Sequence, residues 1–152
     1  MIFIAHRGNL DGANPNRENH PDYIQKAIDK GYSVEIDVWF ENNKFCLGHD
    51  GPQYEVSNSF LENKLIWCHA KSHNAVNKLR QDKKTHYFWH QEDDYTITSN
   101  GYIWVYPGKV LISECIAVMP ENKYANEELT ICGGICSDII ALYKQMPILK
   151  GI

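Results

Sequence analysis

Short apolar runs alternate with polar or helical stretches along the whole chain. Ile2–Ala5 is too short for a helix and leads into Gly8, which predicts a buried strand. Pro21–Lys30 carries Ile24, Ala27 and Ile28 at helical spacing, with Pro21 suited to a first turn and Gly31 to a stop, and predicts a helix. Ser33–Phe40 reads as a strand, and the turn Glu41-Asn42-Asn43 joins it to a shorter extended piece, Lys44–Gly48. The pattern then predicts strands over Leu65–Ala70, Thr85–His90 and Tyr102–Tyr106, the last ending at Pro107-Gly108, with a helix over Asn74–Gln81. Cys115–Met119 and Leu129–Ile135 are the final strand candidates, and Ile139–Gln145 a terminal helix.

Strands separated by helical segments pair in parallel, and about seven of them without a second domain predict a closed or nearly closed barrel. The expected fold class is therefore α/β, a compact TIM-type (β/α) barrel formed by one domain over residues 1–152. Eight strand–helix units in 152 residues leave about 19 residues each, against about 250 residues for an ordinary barrel of this type. Its outer helices are expected to be shortened or missing, above all between residues 91 and 130.

Composition narrows the function classes. With 43% hydrophobic and 22% charged residues the chain is an ordinary globular sequence, not a disordered one. No run approaches the roughly 18 apolar residues of a membrane span, which predicts no stable membrane insertion. A net charge of −4 argues against nucleic acid and anionic lipid as partners. Met1–Ala5 runs straight into His6-Arg7-Gly8 without a basic leader, and the expected compartment is the cytoplasm. Five cysteines without a CxxC pair disfavour a disulfide framework or zinc ribbon, and Cys46, Cys68 and Cys115 read as small hydrophobes in apolar runs.

Barrels of this type place their sites at the carboxyl ends of the strands, so polar residues that end apolar runs are the candidates. Glu35 and Asp37, two apart on a strand, share a face while Val34, Ile36 and Val38 take the other. Two carboxylates that close repel unless a cation neutralises them, and hard oxygen ligands suit Mg²⁺ or Ca²⁺. Taken alone, the pair is the pattern of an exposed edge strand with alternating polar residues. His6 and His49 are of the right type to divide general-acid and general-base work near neutral pH. Arg7 offers a planar fork of donors that matches phosphate oxygens, and Lys71 a point charge on the strand face of Trp67 and His69.

Together these residues resemble the glycerophosphodiester phosphodiesterases, members of the phosphatidylinositol-specific phospholipase C-like superfamily. Ile4-Ala5-His6-Arg7-Gly8 resembles the family's opening HRG, and Arg17-Glu18-Asn19-His20 its EN(T/S) motif. Glu35-Ile36-Asp37-Val38 is similar to its ExD strand, and Gly48-His49-Asp50 to its HD motif. Further on, His69-Ala70-Lys71 falls where the family carries Glu-x-Lys, and Cys136-Ser137-Asp138 resembles the (T/S)D of the last strand. The resemblance implies a metal-dependent hydrolase of a glycerophosphodiester or related small phosphodiester. His6 and His49 would be the acid/base pair, Arg7 and Lys71 the phosphodiester ligands, and Glu35, Asp37 and Glu18 the holders of one divalent ion. His69 stands where a third carboxylate is expected; an imidazole there is tolerable to Mn²⁺ or Zn²⁺ and poorly suited to Ca²⁺, with Glu114 or Glu92 as substitutes. Mg²⁺ is the first expectation for the ion, with Ca²⁺ or Mn²⁺ as alternatives. The nucleophile is water or a neighbouring substrate hydroxyl.

A different class fits the same residues, a non-catalytic phosphoester-binding module that keeps the barrel mouth. Phe88 and Trp104 are expected to pack inside the barrel, while Trp89, His90 and Tyr106 stay open between packing and a binding mouth. His20, His73 and His86 are expected at surface or capping positions. A barrel with thin helical cover also leaves strand surface that a homo-oligomer would bury.

Overall fold

The computed structural model describes residues 1–150. Among these residues ten strands form one sheet: β1 (Ile2–His6), β2 (Ser33–Glu41), β3 (Lys44–Leu47), β4 (Tyr54–Val56), β5 (Ile66–Ala70), β6 (Tyr87–Trp89), β7 (Tyr95–Ile97), β8 (Ile103–Val105), β9 (Ile116–Val118) and β10 (Gly134–Ser137). Four α-helices accompany it: α1 (Pro21–Asp29), α2 (Asn58–Leu61), α3 (His73–Leu79) and α4 (Ile140–Gln145). Seven strands run parallel in the order β6-β5-β2-β1-β10-β9-β8, and β7 lies antiparallel on β8. The far half of β2 carries β3 and β4 as an antiparallel meander.

The fold is thus mixed α/β, as expected, but the sheet is not closed. Its outer strand β6 meets β7 and the residues just after it through bonds from Thr96 Oγ1 to the Trp89 carbonyl, 2.9 Å, and from the Ser99 amide to the Tyr87 carbonyl, 2.8 Å. They do not pair as strands. The segment from residue 91 to 127 contains no α-helix, in line with the short chain.

Strand alternation divides the apolar residues into two layers. Val34, Ile36 and Val38 of β2, with Cys68, Ala70, Ile135 and Ala117, face the helices and join Ile24, Ala27, Ala75, Leu79, Ile140 and Tyr143 in the larger core. The opposite face holds Ile4, Trp67, Phe88, Trp104, Ile116, Val118 and Cys136 in a second cluster. Full burial of one such aliphatic or aromatic side chain is worth about 1.5–3 kcal/mol, so both layers hold the sheet in place. Phe88 and Trp104 pack as expected, with ring centroids 4.6 Å apart.

Most expected elements appear with ends shifted by a residue or two. The exception is Leu129–Ile135: its first half is a 3-10 turn, Glu128–Ile131, where Thr130 Oγ1 bonds the Glu127 carbonyl, and β10 starts at Gly134. The short pieces β4, α2 and β7 carry too little periodicity to stand out in the sequence. His20 caps α1 by accepting from the Asp22 amide, and His73 opens α3 on the surface, as expected. His86 is a correction: it is buried, its ring 4.1 Å from that of Trp67, because the strand entering β6 turns it into the inner aromatic layer.

Candidate active site

The two-residue period of the strands explains where the site lies. On the inner face, the next residue after Ile4 is His6, after Trp67 is His69, after Phe88 is His90, after Trp104 is Tyr106, and after Cys136 is Asp138. Each of these five buried inner residues is thus followed, one period toward the carboxyl end, by a functional or aromatic group. These ends surround a cavity of about 350 Å³ lined by His6, Arg7, Glu35, His49, His69, Lys71 and His90 on one side. Gln91, Trp104, Tyr106, Pro107, Val118 and Met119 complete it. A larger hollow of about 570 Å³ against α1 holds none of the expected acid/base or metal-ligating residues.

Glu35, which lines the cavity, is 2% exposed, and Asp37 lies fully buried beside it. His69 Nδ1 lies 3.4 Å from both Glu35 Oε1 and Asp37 Oδ1, while its Nε2 meets the His90 carbonyl at 2.8 Å. A carbonyl can only accept, so Nε2 carries the hydrogen and Nδ1 is aimed at the carboxylates. Burial opposes charge on His69, yet the facing Asp37 and Glu35 carboxylates outweigh it and lift its pKa to about 9. Burial likewise disfavours the Asp37 carboxylate, and His69, Arg7 and Lys71 together hold its pKa well below the usual range. Arg7 Nε stands 2.9 Å and Lys71 Nζ 3.5 Å from Asp37. Asn19, also buried, clamps Asp37 twice: its Nδ2 donates to Asp37 Oδ2 and its Oδ1 accepts from the Asp37 amide, both at 2.9 Å.

The donor set fits a divalent ion. Glu35, Asp37 and His69 each offer a ligand atom within 4.8 Å of the others. Glu35 Oε2 and Asp37 Oδ1 are buried oxygens without a hydrogen-bond partner, which a cation would satisfy. The bond from His69 Nε2 to a carbonyl is the outer-shell support that ligating histidines use. Glu18 lies outside this group of three; its carboxylate receives Arg7 Nη1 at 3.2 Å and Asn9 Nδ2 at 2.9 Å.

His6 belongs to the same network. Its Nδ1 donates to Asp138 Oδ1 at 2.7 Å, and its Nε2 is 3.9 Å from Glu35 Oε2. Burial lowers the His6 pKa, but Asp138 and Glu35 override it and the net shift is upward. Asp138 is shifted down, its burial outweighed by His6, Asn9 and Arg7. His49 stands at the rim, 46% exposed, with Nδ1 2.7 Å from Asp50 Oδ1. Its loop is tight: Gly48 has φ 151, and a Cβ there would overlap the Gly51 carbonyl.

Three supporting residues are not predicted as site residues by the sequence. Asn9 is fully buried and its Nδ2 also donates to Asp138 Oδ1, at 2.8 Å. Asn19 and Asp138 lie inside the family-like motifs, where the residue pattern gives them no role. The signal for Asn19 is its φ of 62, a left-handed conformation that asparagine tolerates better than most residues. Glu92 and Glu114, the substitutes considered for a third carboxylate, are exposed and do not belong to the three-residue group. No helix among the described residues is long and apolar enough to cross a membrane. No family model, curated protein or solved structure matches the chain, so function has to be argued from the chemistry of the cavity.

Proposed function

We propose that the chain is a metal-dependent phosphodiesterase acting on a glycerophosphodiester or related small phosphodiester, resembling the glycerophosphodiester phosphodiesterases. The open parallel sheet is read as an abbreviated TIM-type barrel whose outer helices are largely reduced. One observation carries the proposal: His6, His49, Arg7, Lys71, Glu35 and His69, from distant parts of the sequence, line one cavity of about 350 Å³ at the strands' carboxyl ends.

A phosphodiester bears one negative charge, and Arg7 and Lys71 are the cations that bind it. Glu35, Asp37 and His69 would hold a divalent ion, which supplies Lewis-acid polarisation of a phosphate oxygen. His6 and His49 divide the proton work: one takes the proton of the attacking water or substrate hydroxyl, the other gives a proton to the leaving alkoxide. Asp138 fixes His6 with Nδ1 protonated, which leaves Nε2 as the atom that exchanges a proton with the substrate. Asn19 and Arg7 hold Asp37 ionised and in place, so the ion-binding face is preorganised.

A second reading, a non-catalytic phosphoester-binding module, is favoured by one observation. Asp37 already has three cationic neighbours, Arg7, His69 and Lys71, which balance charge without an ion. Turnover separates the two. The enzyme reading expects release of p-nitrophenolate from bis(p-nitrophenyl) phosphate that depends on Mg²⁺ or Mn²⁺ and on His6. The binding reading expects saturable affinity for the diester without release.

A further inference from the structure

We infer that the cavity takes a phosphodiester with one hydrocarbon arm, which lies on an apolar wall built by β8, β9 and the residues that follow them. This rests on the phosphodiester reading of the charged half of the same cavity and adds what that half does not specify.

The two halves differ in chemistry because they come from different strands. The ionised side chains come from β1, β2, β5 and the segments just after them, on one flank of β10. The other flank, β9 and β8, presents Val118 and Trp104, followed by Met119, Tyr106 and Pro107. None of these five carries an acid or base that works near neutral pH, and the Trp104 indole and the Tyr106 hydroxyl are their only strong side-chain hydrogen-bond groups. A polyol arm placed there would lose hydration without recovering most of its hydrogen bonds, whereas a hydrocarbon arm gains by leaving water.

The wall is firmly built. Trp104 is 3% exposed, with Phe88 at 4.6 Å and Trp67 at 6.0 Å behind it. Tyr106 is held edge-on against the His90 ring at 5.5 Å, yet remains 42% exposed, so its open side faces solvent. His90 is itself fixed, its Nε2 bonded to the Asp93 carbonyl and its own carbonyl to His69. Met119 has φ 43, a left-handed conformation that a bulky residue rarely adopts, at the point where the chain turns out of β9 beside the cavity. An exposed tyrosine and a strained methionine next to a charged floor form a surface on which an apolar arm lies while its phosphate stays at Arg7 and Lys71.

The test compares two diesters that share a glycerol arm, glyceryl hexyl phosphate and diglyceryl phosphate. Binding is measured by calorimetry on the full chain with Mg²⁺, and hydrolysis separately by phosphorus NMR. The expected result is about tenfold tighter binding of the hexyl diester, since a few buried methylene groups suffice for that ratio. In Tyr106→Ser and Met119→Ser the ratio should fall to about twofold, chiefly by weaker binding of the hexyl diester. Equal affinity of the two diesters for the wild type, or an unchanged ratio in both variants, overturns the inference. Binding with the expected ratio but no hydrolysis of either leaves the apolar wall standing and removes the enzyme reading. Absence of binding by both diesters removes both.

Discussion

Asp138 Oδ1 accepts a hydrogen bond from His6 Nδ1 at 2.7 Å, joining two residues 132 positions apart in the chain. The contact exists because β1 and β10 are parallel neighbours in register, Ile4 opposite Cys136, so residues one period further on meet at the same end of the sheet. Asp138→Asn cannot fix the imidazole in the same tautomer. It should lower kcat for diester hydrolysis by about tenfold to a hundredfold with little change in KM. Steady-state kinetics with circular dichroism as a folding control checks this; an unchanged kcat would show that Asp138 does not position His6.

Asn19 is the structural counterpart on the other side of the site. It is 1% exposed, has φ 62 and makes two hydrogen bonds to Asp37. Asn19→Ala leaves a buried carboxylate short of partners and puts a residue with no polar side chain in a left-handed conformation. The expected loss is about 2–4 kcal/mol in urea unfolding. A loss below about 0.5 kcal/mol, the range of neutral surface substitutions, would mean that Arg7 and His69 suffice to hold Asp37.

Much of the site is legible in the sequence, for a physical reason. The two-residue alternation of β2 is strict, so the order of residues alone puts Glu35 and Asp37 on one face opposite Val34, Ile36 and Val38. The amphipathic spacing of Ile24, Ala27 and Ile28 likewise marks α1. What stays hidden depends on contacts between distant segments. Asn9 looks like a loop residue, yet its amide bridges Glu18 and Asp138. His86 stands where the polar stretch Lys83-Lys84-Thr85 meets an aromatic run and reads as a surface residue, whereas Trp67 and Tyr102, which enclose it, come from other parts of the chain. Whether the sheet closes is also beyond local pattern, since it turns on how β6 and β7 meet.

The burial of His86 makes a pH prediction. Burial pushes its pKa from 6.5 down to about 4, so below pH 6.5 the unfolded chain takes up a proton that the folded one refuses until about pH 4. Stability therefore falls as pH drops through that window. Asp37 and Asp138, both shifted down, add stability that is present above 3.8 and lost further into acid. His69 acts oppositely: raised from 6.5 to about 9, it stabilises the ion-free protein fully below 6.5, and that contribution is lost as pH rises through 9. Urea midpoints of chelator-treated protein should peak near pH 6.5. His86→Phe should flatten the limb between 6.5 and 4, and an unaltered limb would contradict the assignment.

Divalent ions give a separate check. Mn²⁺ or Mg²⁺ should raise the midpoint of thermal unfolding, and a chelator should reverse the rise. Asp37→Asn should abolish the response and His69→Ala should weaken it, because the carboxylates at the floor form the rest of the donor set. A full response in Asp37→Asn would place the ion elsewhere.

The central claim is that one cavity performs acid/base hydrolysis of a phosphodiester. It is tested most directly by the rate of p-nitrophenolate release from bis(p-nitrophenyl) phosphate with Mg²⁺ or Mn²⁺, in wild type, His6→Ala and His49→Ala. The account predicts ion-dependent turnover in the wild type, a loss of at least about a hundredfold in the variant that lacks the base, and a smaller loss in the one that lacks the acid, because p-nitrophenolate leaves without a proton. Equal rates in all three proteins would contradict it.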